Sequence, residues 1–114
     1  MKNNEIEYKG QKYQLVFNLN VMEQIQEEYG TISKWGELTD GSKGEVNAKA
    51  IKFGLAAMIN EGIDISNEEN ETDIKPFTLS QIGRLLTEIG LVEATQKLNG
   101  TVIESTESDK SKNE

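Results

Sequence analysis

The acids between Glu61 and Asp73 are the densest group of reactive side chains in this chain. Six carboxylates (Glu61, Asp64, Glu68, Glu69, Glu71 and Asp73) stand there against a single cation, Lys75. Such clusters hold calcium when the loop supplies oxygens at fixed steps, a central Gly and a Glu at the twelfth position. Counted from Asp64, the Gly position is Glu69 and the twelfth is Lys75. The pattern fails, and repulsion among like charges predicts an open, solvated loop over 63–75.

Other chemistries lack their reagents. Histidine and cysteine are both absent, which removes the usual proton shuttle near neutral pH, the commonest zinc ligand, the thiolate nucleophile and disulfides. Gly41 and Gly44 lead into Glu45 rather than Lys-Ser or Lys-Thr, so no phosphate-cradling loop is present. Paired carboxylates remain, but most of the 20 acids fall on a helix face, in the acidic run or in the tail. No catalytic, metal or cofactor-binding residue is therefore expected, and the chain reads as a non-enzyme.

A net charge of −8 with Arg84 as the only arginine, and a pI of about 4.6, opposes binding to phosphate backbones. No apolar run approaches the roughly 18 residues of a membrane span, and residues 1–20 have no signal-peptide core. The expectation is a soluble protein of a reducing cytoplasm. Leu, Ile, Val and Phe make up 28 of 114 residues, enough for one modest core.

The elements follow from periodicity. Over 5–17, Ile6 and Tyr8 alternate with Glu5 and Glu7, Lys9-Gly10 turns the chain, and Tyr13, Leu15 and Phe17 return as a second strand. A helix over 19–29, capped by Asn18 or Asn20, carries Met22, Ile25 and Tyr29 on one face with Val21 beside them, and Gly30 ends it. Thr31 or Ser33 starts a short helix over 33–39, with Trp35 and Leu38. Trp35 reads either as a lid on the core, its indole N–H near water, or as a binding anchor.

The segment 45–61 is the most apolar helix. Ile51, Leu55, Met58 and Ile59 make one face, Val46, Ala50, Phe53 and Ala57 a second, and Lys49, Lys52, Ala56 and Asn60 a narrow polar wedge. A helix apolar on two sides is packed on two sides. Gly54, between the faces, admits a close neighbour, and Gly62 is expected to end the helix. Pro76 precedes a capping box, Thr78 to Gln81, which opens a helix over 78–89 with Ile82, Leu85, Leu86 and Ile89 as its stripe. Gly90 ends it, and a last helix covers 91–103. From Glu104 on no apolar residue occurs, so 104–114 is expected to be a flexible polar tail.

The predicted fold is α+β and predominantly α: one domain over 1–103, with an N-terminal hairpin and four to five helices. Its core is Leu15, Phe17, Met22, Ile25, Ile51, Leu55, Met58, Ile82, Leu86 and Ile89. With chemistry eliminated, function falls to surfaces: the hairpin edge, the polar wedge, the acidic loop and the tail. Tyr8, Tyr13, Trp35, Lys49 and Lys52 are the candidate partner-binding residues.

Three segments, YKGQKYQLVFNLNVMEQIQEEYG (8–30), IKFGLAAMINEG (51–62) and PFTLSQIGRLLTEIG (76–90), carry a resemblance. In their order and pattern they resemble the tail assembly chaperones of long-tailed phages and prophages of Gram-positive bacteria. The resemblance implies a non-enzymatic protein that binds the tape-measure protein, keeps its long hydrophobic helices soluble and recruits tail-tube subunits. It implies absence from the finished virion, self-association as an option, and a longer frameshifted form joined through the polar tail. The competing expectation is a small acidic regulator or inhibitor that uses the acids of 61–73 to occupy a basic site on a host protein.

Overall fold

The computed structural model describes residues 4–112, with side chains as far as Ser105. Two strands, β1 (Glu5–Tyr8) and β2 (Gln11–Gln14), are followed by five helices: α1 (Leu19–Tyr29), α2 (Ile32–Thr39), α3 (Ala48–Asn70), α4 (Leu79–Ile89) and α5 (Leu91–Lys112). The architecture is α+β with helix predominant. The strands pair antiparallel with Tyr8 opposite Gln11. Lys9 and Gly10 both take positive φ, 53° and 79°, the primed turn whose twist matches that of a hairpin. Leu15 to Phe17 lie outside the strand, although Leu15 N still donates to Asn4 O at 2.7 Å, so the ladder is shorter than the pattern predicts.

Local signals set most helix ends. The Asn18 side chain accepts from Val21 N at 3.2 Å and starts α1, and Thr31 does the same for Lys34 N at 3.0 Å to start α2. Both halves of the Thr78–Gln81 capping box are made, at 3.2 and 2.8 Å. Gly30 and Gly90 end α1 and α4 at φ of 93° and 94°.

The long helix α3 departs from expectation at both ends. It starts at Ala48, because the Asn47 side chain accepts from Ala50 N at 2.9 Å; residues 45–47 lie outside it. It does not stop at Gly62 but runs to Asn70, where Glu71 adopts the left-handed conformation. Gly62 is a contact residue, not a terminator. A Cβ there would lie 2.3 Å from the Gln14 carbonyl oxygen, and Val16 N donates to Met58 O at 3.2 Å. The chain leaving β2 thus lies directly on the helix, and only Gly leaves room for it. Beyond it Ile63 is buried, which holds the acidic run in helix as far as Asn70. Of the open loop predicted over 63–75 only 71–75 is non-helical, and Asn67 holds Thr72 and Ile74 along α3 rather than leaving them open.

Gly54 plays the same part on another side of α3. A Cβ there would lie 2.3 Å from Trp35 Cζ2, and the Trp35 indole donates to Ala50 O at 3.0 Å. Trp35 is 1% exposed, so its N–H reaches a helix carbonyl rather than water. Around these notches Leu15, Phe17, Val21, Ile25, Ile51, Leu55, Met58, Ile82 and Leu86 are buried. Met22 and Ile89 are partly buried at the margin of the core.

The predicted helix boundary at 103 is also absent, since α5 is helical to Lys112. Ser105 Oγ donates to Phe17 O at 3.1 Å, fastening α5 across the sequence to the segment after β2. The expected flexibility of the tail concerns, from residue 106 on, side chains outside the described residues, and 113–114 lie outside them altogether. No helix among the described residues is long and apolar enough to cross a membrane.

Candidate functional site

The predicted contact residues separate into three places. Tyr8 and Tyr13 come together on the hairpin with Phe77, edge to face, at centroid distances of 6.3 and 5.1 Å, and Lys9 Nζ sits 5.4 Å from the Tyr8 ring. Lys49 is exposed near the start of α3. Lys52 is half-buried, its stem 3.7 Å from where a Cβ on Gly83 of α4 would stand. Trp35, a candidate by sequence, cannot serve as an anchor because it is inside the core.

The polar wedge of α3 is not an open stripe either. Ala56 is buried, and Asn60 is committed to the segment before α4: its Oδ1 accepts from Phe77 N at 2.8 Å and its Nδ2 donates to Phe77 O at 3.0 Å. Asn67, two turns on, treats Ile74 alike at 3.0 and 2.9 Å, and its Oδ1 also accepts from the Thr72 hydroxyl. Two amide side chains thus hold residues 72–77 along α3 as a strand neighbour would.

This strapping forms a groove that sequence reasoning missed. It measures about 250 Å³ and lies between α1, α3 and the start of α4. Phe53, Ala56, Ala57, Asn60, Glu61 and Asp64 of α3 line it, together with Gln24 of α1 and with Phe77 and Leu79 at the start of α4. Leu79 is 51% exposed. The Glu61 carboxylate is fixed in place, its Oε2 accepting from Asn18 Nδ2 at 2.8 Å and Asn20 Nδ2 at 3.0 Å. One sequence signal was available: Phe77 and Leu79 flank the capping residue Thr78, and the residue before a cap often closes on the fourth helical position, here Ile82.

A larger hollow, about 720 Å³, runs along the start of α5 past Leu91, Val92, Glu93, Gln96 and Lys97. The far edge of β1 receives no backbone hydrogen bond among the described residues, leaving Glu5 and Glu7 on a short acidic edge.

Among the described residues two titrating groups are shifted. Burial, helped by the Glu28 charge, raises the Tyr29 phenol above its ordinary 10.0; its hydroxyl is buried with no hydrogen-bond partner among the described residues. Asp40 is held below the usual carboxylate range by the Ser42 backbone N–H, which donates to its Oδ1 at 2.8 Å. No three acidic side chains among the described residues converge as a metal site. The geometry places apolar side chains beside a fixed negative charge.

Neither a protein-family model nor a curated protein nor a solved structure matches this chain.

Proposed function

We propose that this protein is a tail assembly chaperone of a long-tailed phage or prophage. It works without catalysis in the bacterial cytoplasm, binds the tape-measure protein, recruits tail-tube subunits and is left out of the virion. The observation that supports this reading is where the resembling segments fall in the fold. Segment 8–30 spans the hairpin turn, β2 and α1; 51–62 is the part of α3 holding both glycine notches; 76–90 is the strap end plus the capped helix α4. An acidic body with apolar side chains such as Leu79 and Ile74 left at its surface is suited to keeping a hydrophobic helical client dispersed.

The test is co-expression with the tape-measure protein encoded beside it. The expected result is that the client becomes soluble and co-purifies with this chain. A client that stays insoluble, or soluble but unbound, overturns the reading. Neutralising Glu68, Glu69, Glu71 and Asp73 together should leave client binding intact. Under the acidic-inhibitor alternative the chain does not hold the tape-measure protein, and neutralising the acids of 61–73 abolishes binding to a basic site on a host protein instead.

A further inference from the structure

We infer that the groove between α1, α3 and the start of α4 is a docking site for a basic amphipathic helix of another protein. The inference deepens the chaperone reading and rests on its premise that the protein acts by contact. Along α3, Phe53, Ala56, Ala57, Asn60, Glu61 and Asp64 follow at steps of three, one, three, one and three. That spacing is one face of a helix, and it extends for about 16 Å at 1.5 Å per residue. The face is apolar at one end and acidic at the other. Ala56 and Ala57 form the floor and are themselves covered, so the apolar contacts open to a partner are the half-buried Phe53 and Phe77 and the exposed Leu79.

Charge selects the occupant. No Lys or Arg lines the groove, and its acidic end carries Asp64 together with Glu61, whose carboxylate is immobilised by two asparagine amides. A fixed carboxylate beside an apolar floor favours a partner with apolar residues at helical spacing and a Lys or Arg one or two turns away. A second copy of this chain, with net charge −8, brings like charge to that rim and is disfavoured. The larger hollow beside α5 has both Glu93 and Lys97 in its lining and makes no comparable selection.

The probe is a synthetic amphipathic helix of Leu and Lys, compared with the same helix bearing Glu in place of Lys. Each is titrated into the full chain while backbone amide NMR shifts are followed. The Lys helix should bind and perturb Ala57, Asn60, Asp64 and Leu79, with affinity falling as salt rises; the Glu helix should not bind. Leu79→Ser should weaken binding about tenfold, since it removes one apolar anchor. Asp64→Lys should weaken it by a similar factor and flatten the salt dependence. Both positions are exposed, so circular dichroism should show each variant folded. Equal binding of the Glu helix, perturbations centred on Leu91 and Val92, shifts caused by self-association, or no binding at all would each overturn the assignment. The two readings also fail separately. If the Leu79→Ser/Asp64→Lys double variant still retains the tape-measure protein, the groove assignment is lost and the chaperone reading stands.

Discussion

At the scale of single residues, glycines on helices divide by what their missing Cβ would meet. Gly54→Ala drives a methyl into the Trp35 ring, and Gly62→Ala drives one into the Gln14 carbonyl. Each should destabilise by about 2 kcal/mol, overpacking outweighing the gain in helix propensity. Gly100→Ala in α5 meets nothing within 4 Å and should stabilise by about 0.5–1 kcal/mol. Urea denaturation midpoints read all three, and a gain at Gly54 would contradict the Trp35 packing. Tyr29→Phe removes a buried, unpartnered hydroxyl and should add about 1 kcal/mol. Because the folded protein holds the Tyr29 proton more tightly than the unfolded chain, its contribution is complete below pH 10.0 and lost as pH rises through the folded value. Wild-type midpoints should therefore sag in alkali more steeply than those of Tyr29→Phe. Asp40 acts in the opposite sense. Its contribution is present above the unfolded carboxyl value and lost as pH falls through the lowered folded one.

Among elements, α3 organises the rest. The end of β2, the Trp35 of α2 and the 72–77 strap all lie against it. The strap depends on two asparagines rather than on apolar burial, since Ile74 is 47% exposed. Asn60→Ala leaves the Phe77 N–H and C=O without their partners and should cost about 1–2 kcal/mol. Amide hydrogen exchange should then quicken at Phe77 well before the α3 interior. Exchange that stays slow at Phe77 would mean that its ring packing with Tyr8 and Tyr13 suffices to hold the strap.

At the scale of the molecule, one core lies between the hairpin and the helices, and it leaves no room for charge. Leu55 and Met58 are both 0% exposed, so Leu55→Asp or Met58→Asp should unfold the chain, an unpaired buried carboxylate costing several kcal/mol. Loss of the helical circular dichroism signal is the readout; a folded variant that merely lost a partner would turn that face into an interface. The net charge of −8 spreads over a surface whose described residues make one ion pair, Lys43–Glu37, long at 3.9 Å and exposed. That charge favours dispersal in water and attraction of cationic partners, with little bearing on the fold itself.

Features governed by neighbours a few positions away were legible in the amino-acid order. The Lys9-Gly10 turn, the Asn18 cap, the Thr78–Gln81 box, the endings at Gly30 and Gly90 and the apolar stripes of α1 and α4 all belong to this kind, because each is completed within a turn or two of its own segment. The conversion of Gly62 from helix end to contact point needed Gln14, 48 positions earlier. The withdrawal of Trp35 into the core needed Ala50 and Gly54, and the anchoring of α5 needed Phe17 to meet Ser105. The groove arose in the same way, from Asn60 drawing Phe77 back across α3. Periodicity and capping are local free-energy preferences written along the chain. Which glycine receives a neighbour, and which apolar residue is left uncovered, is settled only when distant segments compete for the same helix surface.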